Sequence, residues 1–220
     1  MRNLRSQGIM PSGYLSDIKF HVVGCGAIGS SVAMQLARLG ADKFHLYDFD
    51  KVGIENVGVS QYVDSDINKE KVTALRDHLW RIDSTINSSV TRGKFEFYNG
   101  TKDDILILGL DSMSARMEIV KILAECPHKP AFVIDGRMGA EQYQQYIYDN
   151  ITVNKYEKDW YSDEDADSEP CTRKATSYCS NMSGSFITNS VKNIVMKQPY
   201  FKEIIFNFST LILDKKKLVS

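Results

Sequence analysis

The stretch 17–29, DIKFHVVGCGAIG, constrains this 220-residue chain more than any other. An apolar run (Phe20, Val22, Val23) enters Gly24, Gly26 and Gly29, and SSVAMQLARLG follows at helical spacing. A strand, a glycine turn and a helix, in that order, open a doubly wound α/β sheet. Glycine lets the backbone turn tightly and lets a phosphate approach the amides at the positive end of the helix. Gly24, Gly26, Ala27 and Gly29 are therefore read as a nucleotide cradle.

The segments that follow keep the same rhythm. A first helix is expected over 27–40 with Gly40 as its C-cap, then a strand at KFHLYDF. A helix capped by Asn68 runs to about Arg81 and buries Val72, Leu75 and Leu79. SSVTRGKFEFY reads as a strand bent at Gly93. DILILGL and AFVID are near-continuous apolar runs, which suit parallel strands covered on both faces, and a helix over 112–126 separates them. Beyond Asp135 the pattern changes. EQYQQYIYD alternates like an antiparallel strand. Residues 154–170 are polar and acid-rich and read as a long surface loop, a helix follows from about Thr176 to Lys197, and IIFNFSTLIL is a terminal strand or hairpin. The fold class expected is α/β: a Rossmann-like, mostly parallel sheet with helices on both faces, plus antiparallel C-terminal strands. The domain reading is an N-terminal arm (1–17), one domain (18–214) holding an acidic crossover loop (150–170), and a frayed tail (215–220).

Composition excludes some functions. Lys plus Arg number 27 and Asp plus Glu 28, without the basic excess that nucleic acid or an anionic membrane surface requires. No apolar run is long enough for a bilayer, and the N-terminal residues lack the apolar core of a secretory signal, so a cytoplasmic setting is expected. The four cysteines (Cys25, Cys126, Cys171, Cys179) form no C-x-x-C pair and the four histidines are scattered, so no zinc site is expected.

Further residues narrow the chemistry. Asp48 closes the second strand where an acid can accept both ribose hydroxyls, which fits NAD or ATP alike. Lys71 lies in a helix N-terminal turn, able to fold back over phosphates. Asp111 ends a buried central strand, over the ligand crevice, where a carboxylate can hold magnesium against a triphosphate. Ser112 and Arg116 begin the next helix. Each residue also has a plain structural role open to it: Lys71 as an exposed helix lysine, Asp111 as a helix N-cap, Arg116 as a surface ion-pair partner.

At these residues the sequence resembles the ThiF/MoeB/ubiquitin-activating superfamily of adenylyltransferases. The matching motifs are GCGAIG, Asp48 and Asp50, the asparagine of IENVG (Asn56), the NKEKV containing Lys71, and GLDSMSAR; VIDGRMGAEQYQ and EPCTRKATSYCSNMSGSFITNSVKNIV extend the likeness over residues 18–214. The resemblance implies that ATP and Mg2+ are bound and that the C-terminal carboxylate of a small ubiquitin-like or sulfur-carrier protein attacks the α-phosphate. It implies a homodimer or heterodimer. It also implies that Gly26 and Gly29 face the phosphates, Asp48 takes the ribose, Asn56 and Lys71 touch the triphosphate, Asp111 ligates magnesium and Ser112 lines the pocket. Arg137 is a candidate for the tail or a phosphate. Cys171, before a helix and beside Arg173 and Lys174, is a thioester candidate, since such neighbours lower a thiol's pKa. One departure stands out: Val59 occupies the position of the family's phosphate-binding arginine. Another arginine substitutes (Arg2 and Arg5 are candidates), or turnover is weak, or the chain is a non-catalytic subunit. An NAD-dependent oxidoreductase is the further alternative, and it leaves Asn56, Lys71 and GLDSMSAR without a role.

Overall fold

The computed structural model describes residues 4–166 and 175–219. Its centre is one sheet of eight strands in the order β3-β2-β1-β4-β5-β6-β7-β8. Strands β1 (Lys19–Val23), β2 (Lys43–Tyr47), β3 (Asn87–Thr91), β4 (Ile105–Leu108) and β5 (Phe132–Gly139) run parallel. Strands β6 (Gln142–Asp149), β7 (Tyr200–Asn207) and β8 (Ile212–Val219) continue the sheet antiparallel. The order reverses between β1 and β4: the chain leaves β1 toward β2 and β3, then returns to β4 on the other side. Ligands in such sheets bind outside the carboxyl ends of the strands at that reversal.

Both faces of the parallel part are covered, which is why its strands read as apolar runs. On one face, helix α1 (Ala27–Leu39), helix α3 (Lys71–Ile82) and helix α7 (Ser177–Val195) bury Val32, Leu36, Val72, Leu75, Ile187 and Val191 against Phe20, Phe44 and Ile107. On the other, helix α4 (Met113–Glu125) and the single turn α5 (Val153–Tyr156) pack Val120, Leu123 and Tyr156 against Val23, Leu106 and Val133. Helix α1 ends at Gly40, whose φ of 113° is left-handed and whose N–H returns to the carbonyls of Leu36 and Ala37, as the helix-stop rule predicts. No helix among the described residues is long and apolar enough to cross a membrane.

Four local expectations change. Asn68 does not cap α3: it adopts a left-handed φ of 70°, and Glu70 stands at the N-cap. The third strand stops at Thr91, and only irregular chain follows to Asp104. The acidic stretch is not a bare loop up to residue 166, since it contains α5 and a second single turn, α6 (Asp163–Ala166), and Tyr156 is fully buried. The segment read as a frayed tail belongs to β8, paired with β7 as far as Val219. Another single turn, α2 (Ile54–Val57), lies between β2 and α3. The N-terminal arm is tied down by Met10 and Leu15, both in the core.

Candidate nucleotide site

The glycine turn leaves β1 at the sheet reversal, and packing explains two of its glycines. Gly24 has φ +87°, and a Cβ there would lie 2.7 Å from the Gly109 carbonyl oxygen; a Cβ on Gly29 would lie 1.9 Å from the Gly24 oxygen. These two residues let β1, β4 and α1 approach closely. Gly26, the N-cap of α1, differs, since a Cβ there would meet nothing within 4 Å. Its bareness leaves open space at the positive end of α1, as a phosphate cradle requires.

Around this turn the fold gathers residues far apart in sequence. The Asp48 carboxylate accepts from the Cys25 amide (2.7 Å) and the Asp50 amide (2.8 Å). Burial raises the pKa of Asp48, opposed by those two amides and by Lys71. The Lys71 ammonium is mostly covered and donates to the Asp50 carboxylate at 2.8 Å. Burial works against its charge, but Asp50, Asp48 and Asp111 together hold its pKa above the ordinary lysine value. One carboxylate thus pairs with the ammonium, and two more lie near enough to act on its charge. Such a site repels a bare polyphosphate; with a divalent cation on the acids it attracts one. Asp111 is exposed beyond the end of β4, free to take up a hard cation. Among the described residues no group of three or more His, Cys, Asp or Glu side chains is placed to hold a metal ion, so a cation here would rest on one or two of these carboxylates and on the phosphates.

Other expected residues make contacts within the protein. Asn56 uses its side-chain oxygen on the Gly53 amide (2.9 Å), closing the turn before α2. Ser112 caps α4, accepting from the Ala115 amide at 3.2 Å. Arg116 is a correction: expected among the ligand contacts, it is 2% exposed and bonded to Asp135 and the carbonyls of Leu110 and Gly136. The helical phase turns it inward, beneath the strand ends. Arg137 is likewise buried, bonded to Asp135 (2.8 Å) and the Asp159 carbonyl (2.6 Å), with Tyr146, Tyr156 and Tyr161 around its guanidinium. Val59 lies in a loop pinned to α7, where Ser180 donates to its carbonyl at 2.7 Å. Cys25 and Cys179 are buried. Cys171, Arg173, Lys174 and Arg2 lie outside the described residues, and Arg5 is exposed on a short 3-10 turn.

Sequence reasoning missed three contributors. Asp135 is the buried acid between Arg116 and Arg137; its place at the end of an apolar strand was the available signal. Asp163 crosses to the first turn of α4 and accepts from the Met113 and Ser114 amides and the Ser112 hydroxyl, in a stretch with no periodicity to announce it. Tyr62 bonds the glycine turn itself. A cavity of about 400 Å³ opens at the opposite ends of β4 and β5, lined by Lys102, His128, Lys129 and Asn150 among others. It includes neither the glycine turn nor a carboxylate, so the carboxyl-end crevice is the better candidate.

The ThiF family profile matches residues 2–211. The chain belongs to the ThiF family. Among curated proteins, it is 33% identical over 120 residues to ubiquitin-like modifier-activating enzyme 5 of Caenorhabditis briggsae (48% of this chain, 28% of that protein) and 31% identical over 113 residues to its Caenorhabditis elegans counterpart (44% and 27%). Among solved structures, E. coli MccB with ATP has a TM-score of 0.73 at 17% identity, covering 93% of this ThiF-family chain and 65% of MccB; PaaA has 0.70 at 17% identity with the same coverage. The chain thus spans under a third of the curated relatives and about two-thirds of the structural ones. The structural likeness is one of fold: a mostly parallel sheet with helices and antiparallel C-terminal strands.

Proposed function

We propose that this ThiF-family chain is an ATP-dependent adenylyltransferase that activates the C-terminal carboxylate of a small ubiquitin-like or sulfur-carrier protein. The observation that carries the reading is the gathering of Asp48, Asp50, Lys71 and Asp111 around an open glycine turn at the sheet reversal. Family membership supports nucleotide-dependent carboxylate activation. The relatives' names supply the substrate class: one is an activating enzyme for a ubiquitin-like modifier, and E. coli MccB has been solved with MccA.

The reaction joins a carboxylate oxygen to the α-phosphorus and expels pyrophosphate. Two anions must meet, so their repulsion has to be offset by cations and fixed dipoles. The α1 amides at Gly26 receive phosphate oxygens, Asp48 orients the ribose, and Lys71 neutralises charge on the phosphate chain. Magnesium, when bound, supplies further charge neutralisation, with Asp111 as its protein ligand. Arg116, Asp135 and Arg137 hold the floor under the strand ends. In this reading the chain works in the cytoplasm as a homodimer or heterodimer, and Cys171 receives the acyl group as a thioester.

A second reading is favoured by Val59. Without an arginine there, a charge-assisted contact to the phosphates is missing, as in a nucleotide-binding subunit that turns over only with a partner. Pyrophosphate–ATP exchange separates the two. The first reading expects exchange that depends on magnesium and on a protein tail ending in a free carboxylate. ATP binding without exchange, across a panel of such tails, selects the second. Stabilisation by NAD and not by ATP would select the oxidoreductase alternative and remove both.

A further inference from the structure

Five residues at the glycine turn form a closed ring of hydrogen bonds. The Cys25 amide donates to Asp48 (2.7 Å), whose other carboxylate oxygen accepts from the Asp50 amide (2.8 Å). The Asp50 carbonyl accepts from the Lys71 amide (2.9 Å). The Tyr62 hydroxyl closes the circuit, 2.6 Å from the Cys25 carbonyl and 3.1 Å from the Lys71 carbonyl. Tyr62 is 3% exposed. Its single hydroxyl proton is shared between two carbonyls, one inside the glycine turn and one on the first residue of α3. Burial raises its pKa well above the ordinary tyrosine value, so it remains a donor at any working pH.

We infer that Tyr62 is a positioning residue of the nucleotide site: its hydroxyl fixes the glycine turn against the start of α3, so that the turn's amides and the Lys71 ammonium meet one phosphate chain together. The inference rests on the nucleotide reading above. The other links of the ring leave this one span open, from Lys71 back to Cys25. A site held this way needs no rearrangement when its ligand arrives, and preorganisation of that kind lowers the cost of binding.

The test is Tyr62→Phe in the full chain, which keeps the ring volume and removes the donor. Calorimetry should show the Kd for ATP with magnesium rising about tenfold, the usual scale for one lost hydrogen bond to a fixed group. Without nucleotide, acetic anhydride labelling read by mass spectrometry should show Lys71 reacting several-fold faster, while the exposed Lys69 stays unchanged as an internal control. A lower melting temperature with an unchanged Kd and unchanged Lys71 labelling would make Tyr62 a merely structural residue and overturn the inference. A measurement on the unaltered chain covers a variant that fails to fold: the Cys25 and Lys71 amide protons, both in the ring, should exchange with solvent at matching slow rates, and rates tenfold or more apart would overturn it. Wild-type protein that binds no ATP would overturn the nucleotide reading as well; wild-type binding matched by Tyr62→Phe would overturn this inference alone.

Discussion

Asp135 has no exposure and sits between two guanidinium groups, with the Tyr156 hydroxyl donating to it at 2.9 Å. Burial would raise its pKa, but Arg116 and Arg137 hold it below the ordinary aspartate value. Removing one member of such a set strands the others without partners, at a cost of about 3–5 kcal/mol. Asp135→Ala should therefore lower the melting temperature by roughly 6 °C or more, at about 2–4 °C per kcal/mol for a chain of this size; a variant that melts like wild type would contradict this. Lys71→Ala should weaken ATP binding at least tenfold, since a charge-assisted contact is worth about 1.5–3 kcal/mol; equal affinity in a titration would refute the role. The contrast between Arg116 and Lys71 shows what the sequence made legible. Both stand near helix starts after strand ends, where a ligand is expected. Lys71 flanks the crevice because Asp50 draws its ammonium there. Arg116 faces inward because Asp135, distant in sequence, supplies a buried counter-charge, and no local pattern records that pairing.

Between elements, the strongest couplings are polar or very close. Across β1 and β2, the buried His21 ring reaches Tyr47 (3.1 Å) and Asp104 (3.1 Å), and His45 reaches Tyr47 (2.9 Å) and Thr91 (2.8 Å). Burial, then His21 and Lys19, push the pKa of His45 down to about 4; burial also lowers that of His21. An unfolded histidine titrates near 6.5. Between about pH 6.5 and 4 the unfolded chain then binds more protons than the folded one, so stability rises with pH through that window. Urea unfolding should lose roughly 2–3 kcal/mol from pH 7 to pH 4.5, and His45→Gln should flatten that slope; an unchanged slope would remove His45 as the cause. Helices α1 and α7 touch where a Cβ on Gly184 would lie 2.3 Å from the Ser31 hydroxyl. Gly184→Val should cost about 1–3 kcal/mol by overpacking, read as a lower denaturant midpoint. The strands and long helices were legible because their apolar periodicity is local. The segment 157–166 was not: its order comes from Tyr156 filling the core, Trp160 donating to the Met113 carbonyl (3.0 Å) and Asp163 capping α4.

For the whole molecule, topology decides where chemistry can occur. The reversal between β1 and β4 leaves a crevice beside the glycine turn that follows β1 and the Asp111 that follows β4, while the segment after β2 and the start of α3 supply Asp48, Asp50 and Lys71. That site carries more negative than positive charge, although the chain as a whole is close to neutral. The proposed function requires that the crevice bind ATP together with a divalent cation. Calorimetric titration of the full chain with ATP, with and without magnesium, tests it most directly. A saturable site for ATP is expected in the presence of magnesium, with affinity reduced at least tenfold when the metal is chelated, because the acids then outnumber Lys71 around the phosphates. Equal affinity with and without the metal, or saturable binding of NAD in place of ATP, would contradict it.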